Sequence, residues 1–411
     1  MSSNDKWPTR CLQAHLRGLG SALVATLSAA GCGGGGGGGA AAGFPSVAGA
    51  NDIVVPTAVA TPLRFTDLAV GLHHACGVTA AGVIYCWGAD DYGQLGSTAP
   101  MALCDHGATP CSSAPVPIAS ADVFAGLAAS LRHACAVTKA GAAWCWGYGD
   151  GGQLGDGLST SSATPVQVTG PTSFATVALG GSGLISCAIT PAGAGFCWGP
   201  GGGGGGLGDG TTGGANAPVA VAGGLVFTEL AVGDDHVCGI SSGGIAYCWG
   251  HNGYGKLGQG APGASSVPSP VAGGLSFTGI SAGLEHSCGL IADGSAYCWG
   301  FPLAVGSVAT DGNVLAPRPV AGGRHFKQLS AGAFHSCALD ATGAAWCWGQ
   351  NLSGELGDGT HVDRAEPVAV STNLRFVKIR AGGSTCALDA AGQAYCWGSN
   401  LFGQAGQPPA S

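Results

Sequence analysis

Downstream of residue 50 the chain has no apolar stretch with a helical period. Short runs with a strand-like period of two recur instead, punctuated by glycine. The run His335–Gly349 reads His-Ser-Cys-Ala-Leu-Asp-Ala-Thr-Gly-Ala-Ala-Trp-Cys-Trp-Gly. Folded as an antiparallel hairpin with its cysteines opposed, it has the loop Ala341-Thr342-Gly343. A three-residue hairpin loop ends on a residue at positive φ, which glycine adopts without steric cost. Alternation then places both sulfurs on one face and Trp346 and Trp348 on the other.

This run occurs seven times. Its second cysteine, always before Trp-Gly, falls at Cys86, Cys145, Cys197, Cys248, Cys298, Cys347 and Cys396, at intervals of 59, 52, 51, 50, 49 and 49 residues. A period near fifty predicts a propeller or a solenoid. The hairpin register predicts seven cross-strand disulfides, Cys76–Cys86, Cys135–Cys145, Cys187–Cys197, Cys238–Cys248, Cys288–Cys298, Cys337–Cys347 and Cys386–Cys396. The aromatic face recurs as Tyr85/Trp87, Trp144/Trp146, Phe196/Trp198, Tyr247/Trp249, Tyr297/Trp299 and Tyr395/Trp397, and is expected to pack one blade on the next. Prolines such as Pro56 and Pro367 stand nine residues before a phenylalanine in each copy, and are expected to open an outer strand, where no ladder partner misses the N–H.

Three features invite a chemical reading. His74, His133, His236, His286 and His335 precede the first cysteine by two residues, which would bring three ligands to a metal. Ile185 and Ser384 replace the histidine while both cysteines remain, so the cysteines pair without it and no metal site is expected. The histidines are expected to be buried hydrogen-bonding groups at the strand entry. Asp156, Asp209 and Asp358 sit in Leu-Gly-Asp-Gly turns that lack the second carboxylate a calcium site needs. No carboxylate pair, nucleophile motif or phosphate loop stands outside the repeat, and the run Gly201–Gly206 lacks the Lys-Ser or Lys-Thr of a P-loop, so neither catalytic residues nor a cofactor are expected.

Composition agrees with an all-β array. The 411 residues include 79 glycines, far above the usual share of about 7%. Only 9% of residues are charged, yet 46% are apolar, which excludes a disordered chain. Without residues 1–31, which hold Lys6, Arg10, Arg17 and Asp5, 11 basic side chains remain against 21 acidic ones. With no basic cluster, nucleic-acid binding is not expected.

The string Ala331 to Leu339, followed by Gly343 to Gly357, resembles the regulator of chromosome condensation repeat, and the match extends over about residues 51–411. The resemblance implies a seven-bladed β-propeller of four-stranded blades, its ring closed by one blade built from both termini. On that analogy, an outer strand at Pro56–Val59 joins three strands from about Phe376 to Gly398. Intracellular members generally lack the cysteine pairs, which here predict an oxidising compartment. Gly-Trp-Arg-His-Thr, the motif of the plant ultraviolet photoreceptor on this fold, is absent.

The N-terminus points to export independently. Lys6, Arg10 and Arg17 precede an apolar stretch, Leu19 to Gly31, of signal-peptide length. Residues 1–31 are read as a lipoprotein-like signal peptide, with Cys32 lipidated as the first mature residue, or as an ordinary signal cleaved after a small residue. Residues 32–50 are read as a Gly/Ala-rich tether and 51–411 as the propeller. The expected protein is a monomeric, non-catalytic binding scaffold for a protein or glycan, secreted or anchored in the cell envelope, touching membrane only through its lipid. The alternative is regulation of a small GTPase by nucleotide exchange, the activity of the founding nuclear member.

One interval is too long. The surplus between the first two copies lies in Ser97 to Ala114, where Cys104 and Cys111 are spaced to pin a loop carrying Met101, Leu103, Asp105 and His106. The segment reads either as a tolerated surface insertion or as part of a binding face.

Overall fold

The computed structural model describes residues 51–409 apart from 105–106, 172, 181–183 and 308–311. The expected signal peptide (1–31), the expected tether (32–50) and Cys32 lie outside these residues, as do Asp105 and His106.

Each repeat forms an antiparallel sheet. In blade 2 the strands run Phe124–Ala129, His133–Thr138, Ala143–Gly147 and Ser162–Gln167, hydrogen-bonded in that order. The other repeats follow the same plan, giving a seven-bladed all-β propeller. The seventh blade takes three strands, Phe376–Ala381, Ser384–Asp389 and Ala394–Gly398, from the C-terminal end, and its outer strand, Ile53–Ala58, from the N-terminal end of the described chain. Thr57 lies opposite Cys396, so the ring closes through a sheet. Asp67 in blade 1 also accepts Arg380 and Lys378 of blade 7, at 3.1 and 3.0 Å.

The hairpin register places each cysteine opposite its partner ten residues on, as with Cys337 and Cys347, and the structure joins all seven pairs at Cα separations of 4.0–4.1 Å. Gly343, at φ 83°, completes its turn as the three-residue loop requires.

The core lies between blades. The sulfur face of one sheet meets the ring face of the next. Cys76 and Cys86 of blade 1 pack with Phe124 and Trp146 of blade 2, and Cys386 and Cys396 of blade 7 pack with Phe65 and Trp87 of blade 1. The seven Trp-Gly tryptophans are fully buried. Each indole N–H also donates to a carbonyl in the Gly-x-Leu-Gly loop of the preceding blade or its equivalent, as Trp146 does to Gln94 and Trp87 to Gln404, both at 3.0 Å. That loop dives between blades, where Gly96, at φ 66°, lies so close to Trp146 that a Cβ would stand 2.7 Å from the indole nitrogen.

Three sequence expectations need adjustment. The prolines sit within the outer strand, as Pro367 does in Arg364–Ala369, beside a register shift opposite Cys347 and Gly349. A bulge frees a residue from the ladder, so the proline is accommodated there and not at the strand's first position. The first aromatic of each pair remains half-buried at the margin of the cluster, and Trp346 takes the guanidinium of Arg324 over its ring. Blade 1 has five strands, because Ala102–Cys104 pairs with the lengthened outer strand Thr109–Pro117.

Candidate functional site

The antiparallel plan sorts every connection onto one of two faces. One bears the three-residue hairpins and the links between blades. The other bears the turns before each histidine position and the long loops after each Trp-Gly. These are called below the hairpin face and the loop face.

The histidines lie beneath the loop face and are buried in all five copies. They do more than secure a strand entry. Nε2 of His133, His236, His286 and His335 lies 2.8 Å from the hydroxyl of Ser186, Ser287, Ser336 and Thr385 in the following blade. Ser287 donates in turn to the carbonyl of Lys256 at 2.9 Å, which also accepts the indole of Trp299 at 2.9 Å. With the hydroxyl proton committed to the carbonyl, the imidazole must donate through Nε2, which fixes a neutral tautomer. Burial pushes His74, His133 and His286 down to about 3 and His335 to about 4, and holds His236 well below its ordinary value. These groups are structural. Among the described residues no set of three His, Cys, Asp or Glu side chains could hold a metal, and the Leu-Gly-Asp-Gly carboxylates accept N–H groups within their own turns, as Asp209 does from Thr211.

The first copy breaks the chain of contacts. His74 faces Ala134 where the others face a hydroxyl, and both its ring nitrogens lack a partner.

The loop face carries the groups left for recognition. Tyr92 and Tyr148 meet edge-to-face at 4.9 Å with Arg132 4.7 Å above Tyr92, and His73 meets Phe402 at 5.0 Å. Across blades 4 to 6, Tyr254, Phe301 and Phe334 form a second series at 5.4 and 5.8 Å. All six Tyr and Phe rings are partly exposed. In the same loop as Tyr254, Lys256 is fully buried and paired with Asp235 at 2.5 Å and Glu285 at 2.7 Å. Burial works against its charge, but the two carboxylates outweigh burial and raise its pKa.

Charge is unevenly divided. The loop face holds Asp52, Asp90, Asp91, Asp150, Asp156, Asp209, Asp234, Asp235, Glu285, Glu355, Asp358 and Asp363 against Arg132 and Lys256, with Arg364 at the start of an outer strand paired to Asp358. On the hairpin face Asp122, Asp293, Asp340 and Asp389 are balanced by Arg64, Lys139, Arg324 and Arg375. Burial first, then neighbouring carboxylates, push Asp90 up to about 6 and Glu355 to about 7.

The insertion rises at the rim of this face. Cys111 lies opposite Ala89, the last residue of its neighbour strand, so Thr109 and Pro110 extend beyond the sheet with Ala102–Cys104 beside them. Cys104 and Cys111 are joined. Leu103 is 64% exposed, while Met101 packs against the core between blades 1 and 2. The segment Ser97–Ala114 is therefore only partly insertion, since residues from Cys111 onward belong to the blade.

A central channel of about 690 Å³ runs between the innermost strands, lined by small residues such as Ala69, Ala128 and Ala178 with Arg380 among them.

Two models described as the regulator of chromosome condensation (RCC1) repeat match the chain, one at residues 65–94, 227–256, 326–355 and 377–404, the other at 140–186, 243–290 and 342–388. The chain belongs to this repeat family. Human HERC2, an E3 ubiquitin-protein ligase, is 29% identical over 193 residues, which are 45% of this chain but 4% of the ligase. The ultraviolet-B receptor UVR8 of Arabidopsis thaliana is 26% identical over 212 residues, covering 50% of this chain and 46% of the receptor. The chain thus spans less than half the length of either relative. Among solved structures, human WBSCR16 superposes with a TM-score of 0.73 at 18% identity over 84% of this chain and 89% of its own. Prp20p of Saccharomyces cerevisiae, described with its binding to Gsp1p and histones, gives 0.67 at 22% identity over 82% and 84%. These two likenesses establish the fold.

Two outcomes test the buried histidines. Ala134→Ser places a hydroxyl between His74 and the carbonyl of Gln94, and is expected to stabilise the propeller by about 1 kcal/mol in denaturant unfolding; a loss of stability would contradict the coupling. Because burial lowers the histidine pKa values, including that of His73 to about 4, their stability contribution is complete above the unfolded value of about 6.5 and is lost as pH falls below it. Asp90, Glu355, Glu229 and Glu285, all raised first by burial, act in the opposite sense but are fewer. The unfolding temperature is therefore expected to be lower at pH 5 than at pH 7.5, and a rise would contradict this assignment.

Proposed function

We propose that this chain is an exported, non-catalytic scaffold that binds a partner protein through its loop face. The observation that carries the reading is that this one face combines partly exposed Tyr92, Tyr148, Phe301 and Phe334 with the pinned arm at Ala102–Cys104, while the repeat's cysteines and histidines are consumed in packing. Propellers present variable loops on a rigid ring, which suits recognition. Protein association by a relative of the same fold, Prp20p with Gsp1p and histones, supports the mode without naming the partner.

The eight disulfides favour an oxidising, extracytoplasmic location. In this reading residues 1–31 direct export, Cys32 carries the lipid and residues 32–50 tether a monomeric propeller. Cys32→Ser is expected to shift the protein from the membrane fraction to the soluble fraction, and an unchanged distribution would mean that the chain is simply secreted.

Partner capture from envelope extract and medium, using the tagged propeller, tests the scaffold reading. Replacing Pro100–Thr109 by Gly-Ser, with Cys111→Ser, is expected to leave the seven hairpin disulfides and cooperative unfolding intact and to reduce recovery of the captured partner about tenfold. Unchanged recovery would exclude the arm from the binding face, and recovery of a glycan alone would replace the protein reading.

A further inference from the structure

The two faces differ in a way that blade packing does not require. On the hairpin face, Asp293, Asp340 and Asp389 accept N–H groups of their own turns, and four cations balance the four acids. On the loop face some acids are likewise structural: Asp235 and Glu285 hold Lys256, and Asp90 accepts the N–H of Leu95 at 2.9 Å. An excess of negative charge remains nonetheless: Asp91 and Asp150, which accept Gln94 Nε2 and the Ser161 hydroxyl, are exposed beside the Tyr92–Tyr148 pair, and Asp234 adjoins Asp235 of the Lys256 cluster. Leu352 and Leu401 are also exposed in the loops of this face. Acid excess, open rings and isolated apolar side chains thus share one surface.

Charge selects the occupant. A phosphate-bearing chain or an anionic lipid surface would be repelled by this face, whereas lysine and arginine gain from the carboxylates and from the faces of tyrosine and phenylalanine rings. We propose that the loop face docks a cationic segment of the partner protein, rich in lysine or arginine and carrying apolar side chains that enter between the rings. The proposal rests on the scaffold reading above and specifies its face and the chemistry of its partner.

The probe is a fluorescein-labelled peptide of four Lys-Phe-Lys-Gly repeats, with the Glu-Phe-Glu-Gly peptide as its counterpart, titrated with the full propeller by fluorescence anisotropy. The lysine peptide is expected to bind and the glutamate peptide not. The triple variant Asp91→Asn, Asp150→Asn, Asp234→Asn is expected to weaken binding about tenfold at about 50 mM salt, while Asp122→Asn, Asp293→Asn, Asp389→Asn, equal in net charge, changes it by less than about twofold. At about 500 mM salt, where exposed charges are screened, Tyr148→Ser is expected to weaken the residual binding about threefold. All variants are compared at matched unfolding temperature.

Equal weakening by both triples would reduce the effect to net charge and overturn the docking face, as would failure of the lysine peptide to bind. No change in Tyr148→Ser would remove the rings from the account. A captured partner retained by both triples would leave the scaffold standing without this face, whereas absence of any captured partner would remove the scaffold reading whatever the peptide does.

Discussion

The contact on which this molecule depends is the meeting of a disulfide face with an aromatic face at each blade junction. A four-stranded sheet with one apolar face cannot be stable alone in water, and each blade here buries both faces only because a neighbour stands on either side. The disulfide makes one face compact and the Trp-Phe pair makes the other large, so the two complement each other in volume. Closure then needs no special interface. Blade 7 meets blade 1 through the same sulfur and ring groups, with Asp67, Lys378 and Arg380 added at the inner strands.

The Trp-Gly indole, the hydroxyl after the histidine position and the histidine of the previous blade converge on one loop carbonyl or its neighbours. The result is a buried polar network in which each member satisfies the next. Of the departures from this pattern, one is matched by its partner position. Ile185 stands where a histidine is expected, and the position it faces is Val237, so an apolar pair replaces a polar one. His74 and Ser384 are uncompensated: both ring nitrogens of the one and the hydroxyl of the other are buried without a partner.

Much of this was legible from residue order alone. The strand register followed from the fixed ten-residue cysteine spacing and the turn glycine, because a one-residue slip would have put sulfur and rings on the same face. The internal proline is not legible because the bulge that accommodates it has no signature in the residues around it, such as Pro367-Val-Ala-Val370. The fifth strand of blade 1 appeared only as surplus length, since Ala102–Cys104 is too short for an alternation pattern. The histidine–hydroxyl coupling was missed although a signal existed: Ser186, Ser287, Ser336 and Thr385 each stand one blade after a histidine. The acid face was also hidden, because net charge summed along the chain does not reveal which connections carry it.

The repeat packing described here requires that every sheet be closed by its own disulfide while it supports the rings of the next. Peptide mapping of the unreduced protein, alkylated as it leaves its native compartment, tests that requirement most directly. The structure predicts seven linkages between cysteines ten residues apart, together with Cys104–Cys111, and no alkylated thiol among these sixteen. Free thiols at the blade cysteines, or linkages between different blades, would contradict it.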